Sequence, residues 1–380
     1  MNVKLKPLSE LCNLNMGQSP SSDSYNQDGE GIPFYQGNAD FGELHPTVRY
    51  WCSQPTKIAN DGDILISVRA PIGALNIATE KCCIGRGLAA LTAKEEVSDT
   101  HYLLYALRSR VDELNANGTG STFKAIIKSV LGNTLIPAPD FSDQCVIAER
   151  LDKTSELVAL RRQQLADLDT LVKSRFVEMF GEPETNPMGW DVNELQNVGN
   201  VGSSRRVFAS EFTETGVPFF RGTEITLLSK GGFTVPKYYI AEKHYEELKA
   251  MTGVPKVGDL LLPSICAEGE VWMVDIETPF YIKDGRVLWV QIGDKVNGLY
   301  LRYALKDQLT ANYQQVASGT TFAEMKIFAL KKVKVLVPPL PRQEKFADFV
   351  RQVDKSKFEI QQGLEKLELQ YNALMQRYFG

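Results

Sequence analysis

The chain states much of itself twice. The segment LADLDTLVKSRFVEMFG at residues 165–181 returns 199 positions later as LEKLELQYNALMQRYFG at residues 364–380. A duplicated chain must fold as two related halves, so the repeat frames every local motif and predicts a pseudo-two-fold molecule. GIPFYQG from Gly31 recurs as GVPFFRG from Gly216, a shift of 185, and GDIL from Gly62 recurs as GDLL from Gly258, a shift of 196. YLLYAL from Tyr102 recurs as YLRYAL from Tyr300, a shift of 198, and GSTF from Gly120 as GTTF from Gly319, a shift of 199. A shift that drifts and then settles points to a shared framework with insertions in surface loops.

Each half reads as a domain of about 140 to 160 residues followed by one long helix. The expected segments are 1–141 and 182–341 for the domains, with 142–181 and 342–380 for the helices. From Ile147, Leu151, Thr154 and Val158 through Val172, Arg175 and Met179, steps of four and three alternate. The repeat partners run from Phe346 and Val350 to Leu374 and Tyr378. That is a heptad seam. Proline clusters, IPAPDF from Ile136 and VPPLP from Val337, lead into the helices, and Gly181 and Gly380 end them. A helix lying on its own domain and a helix paired with its repeat both fit such a seam, and the matched registers favour the pair. Paired helices of a duplicated chain would run antiparallel as a rod on the order of 55 to 60 Å, a ruler between the domains. Arg161, Arg175 and Lys357 interrupt the seam, where partner contact and snorkelling are alternative explanations.

The domains read as mixed α/β or α+β units. Short apolar runs bounded by Gly, Asn and Asp, such as DILISVRAPIGALNIAT from Asp63 and DLLLPSICAEGEVWMVD from Asp259, predict strands and turns. HYLLYALRS from His101 and LYLRYALKDQL from Leu299 predict short helices.

Hydrophobic content of 43% supports a packed core, and no run approaches the roughly 18 apolar residues a membrane span needs. The start MNVKLKPLSELC has no apolar signal region. The six cysteines, Cys12, Cys52, Cys82, Cys83, Cys145 and Cys266, form no C-x-x-C pair, which argues against a zinc site or a secreted disulfide framework and fits a reducing cytoplasm. Adjacent Cys82 and Cys83 read as packing residues. His45, His101 and His244 have no metal-ligand spacing. GVPKVGD from Gly253 imitates a phosphate loop but carries Asp259 where lysine must stand. No Asn-Pro-Pro-aromatic tetrapeptide of the amino-methyltransferases, no G-x-S-x-G elbow and no nuclease carboxylate cluster is present. Asp63 and Asp259 read as turn residues before buried strands rather than as metal ligands. No catalytic, cofactor-binding or metal residue is therefore assigned.

The stretch GSTFKAI…LIPAPDFSDQCVIAERLDKTSELVALRRQQLADLDTLVKSRFVEMFG from Gly120 to Gly181, echoed by GTTFAEM…VLVPPLPRQEKFADFV from Gly319, resembles the specificity subunit of Type I restriction-modification systems. Gln144 and Ala148 match Gln343 and Ala347 in its most specific part. The resemblance covers the chain as a domain–helix–domain–helix plan. It implies a non-catalytic subunit with two target recognition domains, each contacting half of a bipartite DNA sequence, separated by two long antiparallel coiled-coil helices. It further implies double-stranded DNA, methyltransferase subunits docked on the helices and a restriction (translocase-nuclease) subunit as partners, with no membrane and no cofactor. The duplication predicts two methyltransferase copies. A duplicated coiled-coil scaffold without DNA binding is the alternative, and an unrecognised enzyme comes last.

Charge bears on this reading. The helices hold 13 acidic and 13 basic residues, leaving 34 acidic against 29 basic in the rest. Since phosphate neutralisation dominates DNA affinity, the chain alone should bind DNA poorly and depend on partners for basic surface. Local clusters nonetheless supply candidate readers. Arg205 and Arg206 lie in GSSRR, at the position of the Ser/Gln-rich GQSPSS from Gly17. Gln36 stands where the second half has Arg221, and these two side chains pair bidentately with adenine and guanine respectively. Asn38 and Thr223 follow two residues later, on the same strand face if the segment is extended. Arg86 and Arg286 recur in matched Gly-Arg pairs, and Arg69 follows an expected strand. Each lone arginine reads more readily as a solvated charge than as a DNA contact, whereas Arg205 with Arg206 and the Gln36/Arg221 pair fit either reading. Removing one heptad, such as Leu165–Leu171, is expected to shorten the spacer of the preferred DNA site if the helices act as the ruler.

Overall fold

A computed structural model describes residues 4–118, 124–317 and 323–380. The repeat tags from Gly120 and Gly319 lie outside the described residues. The chain divides into two compact units, one of residues 1–164 with 360–380 and the other of residues 165–359. Each unit is a mixed α/β domain packed against segments of both long helices.

In the first unit an antiparallel sheet runs in the order Cys12–Met16, Leu88–Ala93, Ile64–Ser67, Leu75–Ile77. A second sheet runs Tyr25–Asn26, Trp51–Cys52, Ile32–Tyr35, Cys82–Ile84, Ile58–Ala59, with Ile32–Tyr35 and Cys82–Ile84 parallel. The second unit repeats the plan. Its first sheet runs Gly199–Gly202, Val287–Ile292, Leu260–Pro263, Trp272–Met273, and its second runs Phe212–Thr213, Tyr238–Ile240, Val217–Phe220, Tyr281–Ile282, again with one parallel pair. The central strands Ile64–Ser67 and Leu260–Pro263 are buried throughout, which explains their unbroken apolar runs. Asp63 and Asp259 close the turns before these strands, accepting from the backbone N–H of Asn60 at 2.8 Å and of Lys256 at 3.0 Å. The turn reading of the two Gly-Asp motifs therefore fits.

The drift of the repeat has a structural origin. Strand pairing equates Ile32 with Val217 and Cys52 with Ile240, so the shift grows from 185 to 188 across this hairpin and reaches 196 at Gly62 and Gly258. The extra residues were expected in surface loops. They form helices instead: Gly222–Ser229 where the first unit has a single 3-10 turn at Asn38–Asp40, and Glu242–Thr252.

The long helices span Phe141–Phe180 and Leu340–Phe379. All seam residues named above are buried or half-buried, whereas Leu157, Leu160 and Leu171, which fall off the seam, are 46%, 53% and 48% exposed. In the first unit Arg162 pairs with Glu368 at 2.6 Å and Arg150 donates to the Tyr378 hydroxyl at 3.3 Å, so the helices run antiparallel there. In the second unit Phe176 and Phe180 meet Phe346 edge-on, at 5.3 and 5.6 Å between ring centroids, and Lys357 pairs with Asp169, so the helices run antiparallel there too. The two readings of the seam both hold, because each helix segment meets its partner helix and a domain together. The charged interruptions find local partners: Lys357 pairs with Asp169, Arg161 with Gln164, and Arg175 with Glu178 while lying 5.8 Å from the Phe349 ring.

The matched glutamines explain the proline-to-helix signature. Gln144 and Gln343 are 1% and 0% exposed. Gln144 accepts from the Asp99 N–H at 3.2 Å and donates to the Val97 and Pro139 carbonyls, while Gln343 accepts from the Asn297 N–H at 2.8 Å and donates to those of Lys295 and Pro338. Each fastens the start of a long helix to the loop that opens the helix Thr100–Arg108 or Gly298–Val316. Tyr102 and Tyr300 complete the match, donating to the Pro137 and Leu336 carbonyls at 2.8 and 3.0 Å. Phe379 and Phe180 lie against their rings at 5.2 and 4.7 Å between centroids.

Cys82 and Cys83 are fully buried in Cys82–Ile84, and burial pushes the Cys82 thiol up to about 12, in keeping with a packing role. Among the described residues no helix is long and apolar enough to cross a membrane.

Candidate nucleic-acid interface

The first-half candidates converge. Gln36, Asn38, Arg69 and Arg86 line one open polar cleft of about 220 Å³, together with Ser19 and Ser67. Four separate segments meet here: the end of Ile32–Tyr35, the turn after Ile64–Ser67, the Gly85–Gly87 turn and the loop after Cys12–Met16. Gly87 is required by close approach, since a Cβ there would stand 2.3 Å from the Gln36 carbonyl oxygen. The cleft is built from its edges. Asp40 is 5% exposed and accepts from the backbone N–H of Gln36 at 2.7 Å and of Gly37 at 3.3 Å, while the Arg49 guanidinium holds its other oxygen. Ser19 accepts from the Arg86 N–H at 3.3 Å, and Ser67 donates to the Arg69 carbonyl at 2.8 Å. Among the described residues, no side-chain hydrogen bond or ion pair engages the side chains of Gln36, Asn38, Arg69 or Arg86. Such a set of amide and guanidinium groups suits base edges and phosphates.

The second-half candidates are arranged differently. Arg221 follows the equivalent strand and caps the helix Gly222–Ser229. Its guanidinium donates to Glu224 at 2.9 and 3.3 Å and lies 4.8 Å from the Tyr238 ring centroid. Its backbone N–H donates to the same carboxylate at 2.9 Å, as that of Gln36 does to Asp40. Burial alone would push the Glu224 carboxyl up, but the Arg221 hydrogen bonds outweigh it, so the carboxyl sits below its ordinary range. Arg206 pairs with Asp284 at 3.1 Å, Arg286 pairs with Glu324, and the Arg205 guanidinium lies 3.3 Å from the Met251 sulfur. Thr223 is exposed in the first turn of the helix.

Two expectations need correction. Asn38 and Thr223 do not continue a strand face, because Tyr35 and Phe220 are the last strand residues and the chain turns into helix at both places. Arg86 and Arg286 are not equivalent. The Val68 N–H donates to the Gly87 carbonyl and the Ser264 N–H to that of Arg286, both at 2.9 Å, so Arg286 replaces Gly87. The second unit has one more residue between Ile282 and Val287 than the first has between Ile84 and Leu88.

Sequence reasoning missed the residues behind the readers: Asp40, Arg49, Glu224 and Tyr238. A carboxylate four or five residues beyond each strand end, in FRGTE and YQGNAD, was the available signal.

Comparison with known proteins places the arrangement. The model of the Type I restriction modification DNA specificity domain matches residues 1–170 and again 187–369. A specificity subunit from Methanocaldococcus jannaschii, named for the type I restriction enzyme MjaX, is 42% identical over 158 residues; the match covers 42% of this chain and 37% of that protein. The chain therefore spans little more than a third of that relative's length. The Haemophilus influenzae type I specificity subunit S.HindORF215P is 25% identical over 370 residues, which cover 95% of this chain and 90% of that protein. The S subunit structure from M. genitalium covers 100% of this chain and 97% of its own, with a TM-score of 0.66 at 16% identity, a likeness of fold.

Proposed function

Because this chain belongs to the Type I restriction modification DNA specificity domain family, we propose that it reads a bipartite duplex, one half-site per repeated domain, as a non-catalytic subunit. The observation that carries this reading is the convergence of Gln36, Asn38, Arg69 and Arg86 on one cleft, with donors and acceptors that no side-chain hydrogen bond engages among the described residues. Arg221, Thr223, Arg205, Arg206 and Arg286 form the second reading face. Residues 1–141 and 182–341 act as the target recognition domains, with 142–181 and 342–380 as spacer helices that dock two methyltransferase subunits. A restriction (translocase-nuclease) subunit joins that assembly in the cytoplasm. The surplus of acidic residues outside the helices makes specific affinity a property of the complex rather than of the chain alone.

The test combines the mass of the complex with binding to a DNA library randomised in each half-site. Two methyltransferase copies and two separable sets of preferred bases are expected. One copy, or a uniform loss of affinity at every position on mutation of either face, would overturn the reading. The purified chain is expected to neither methylate nor cut DNA in the presence of S-adenosylmethionine, ATP and magnesium, and turnover that persists through repurification would show otherwise.

A further inference from the structure

Phe233 is 88% exposed, the most exposed large apolar side chain among the described residues, and Val235 beside it is 75% exposed. Both stand on the segment that joins the helix Gly222–Ser229 to the strand Tyr238–Ile240. The strand begins at the ring against which Arg221 is held, 4.8 Å from its centroid, and Lys237 approaches the same ring at 5.8 Å. Lys230 and Lys237 bracket the segment, and residues 225–241 contain no Asp or Glu. Lys230 reaches Glu268 at 2.7 Å across an exposed surface, and Lys237 has no carboxylate partner among the described residues.

The first unit treats the equivalent segment in the opposite way. Strand pairing equates Cys52 with Ile240, and seven residues before each stand His45 and Phe233. His45 Nδ1 lies 3.0 Å from the Ile77 carbonyl, Gly42 donates to the Asn76 side chain at 3.1 Å, and Leu44 packs against the core. That loop is folded back, whereas the second unit holds an aromatic ring out in water, flanked in sequence by Lys237 and by Lys230, which Glu268 neutralises. An apolar ring beside positive charge fits a surface that is at once polyanionic and built of flat π faces. A stacked nucleic-acid base step has both properties, and apolar side chains used as wedges in DNA grooves exploit them.

Building on the function proposed above, we infer that Phe233 stacks against a base step of the second half-site, flanked by Val235, and that Arg221 reads an adjacent base. The wedge is specific to the second half, because His45 is tied to its own domain.

The test uses the full chain assembled with its methyltransferase subunits and the duplex that it selects from a library randomised in both half-sites. 2-Aminopurine is placed at successive positions of the second half-site. The unmodified complex is expected to raise the fluorescence at one step, where stacking is disturbed. Phe233→Ala should abolish that rise and weaken binding about tenfold, in the range for loss of one aromatic–base contact. Phe233→Tyr should retain both, and discrimination in the first half-site should not change. Because the side chain is exposed, the melting temperature should be unaltered, so a loss of binding cannot come from misfolding. Unchanged affinity and fluorescence in Phe233→Ala would overturn the inference. So would loss of a methyltransferase copy from the variant complex, which would make this segment a protein-docking surface. If the unmodified complex selects no second half-site, the proposed function itself fails; if it does and Phe233→Ala is indistinguishable from it, only the wedge fails.

Discussion

The two candidate faces share a scaffold and differ in the state of the residues proposed as readers. In the first unit the guanidinium and amide groups of Gln36, Arg69 and Arg86 face an open cleft, and the buried carboxylate Asp40 holds the backbone beneath them, with Arg49 as its counter-charge. In the second unit the equivalent carboxylate, Glu224, holds the reader itself, because Arg221 supplies both the capped backbone N–H and the counter-charge. One buried carboxylate thus performs two tasks in one unit, and the second unit delegates nothing to a residue like Arg49. Desolvation explains why each carboxylate recruits a cation: a carboxylate left unpaired at 5% exposure would be costly. The lesson is that duplication preserved the anchor and left the choice of cation free, which is where the two domains diverge.

That comparison can be broken or sharpened, beginning with the framework the units share. Gln144→Ala and Gln343→Ala should each lower stability by about 2 to 4 kcal/mol, since each strands several buried backbone groups at about 1 to 3 kcal/mol apiece. Urea unfolding measures this, and a large inequality between the two would show that the frameworks are not equivalent. Within the assembled complex, Arg221→Ala should cost about 1 to 3 kcal/mol at a single base position of the second half-site, while Gln36→Ala should act only on the first half-site. Affinities on duplexes altered one position at a time will decide.

Glu224→Gln should cost about 1 kcal/mol of stability, as loss of a charged helix cap does. The pH dependence has a definite sign. The Glu224 carboxyl is held below its ordinary value of 4.5, so its contribution is fully present above that value and is lost as pH falls through the lower folded value. The gap between the native chain and Glu224→Gln should therefore close only in that acid range, and a gap that closes near neutrality would refute the clamp. Arg49→Ala should have the smallest effect, about 0.5 to 1 kcal/mol, because half of its side chain is exposed and screened and the Gln36 and Gly37 backbone N–H groups still satisfy Asp40. A larger loss in Arg49→Ala than in Glu224→Gln would reverse the contrast drawn between the units.

The sequence by itself determined the duplication, both long helices and the seam residues between them, because a repeat and a 3.5-residue period are one-dimensional patterns that survive without knowledge of contacts. It also determined the turns at Asp63 and Asp259, since a glycine–aspartate pair before an apolar run carries its own local chemistry. Matching Gln144 to Gln343 was equally visible, but not its purpose, which depends on backbone N–H and carbonyl groups 45 to 48 residues away. Only the tertiary structure decided that Gln36, Asn38, Arg69 and Arg86 share one cleft, that Arg286 stands at the place of Gly87, and that the Arg221 side chain is clamped while that of Gln36 has no partner among the described residues. Those facts rest on one inserted residue in a turn and on which cation a buried carboxylate can reach. Both are set by strand pairing across the sheet, and neither leaves a periodic trace along the chain.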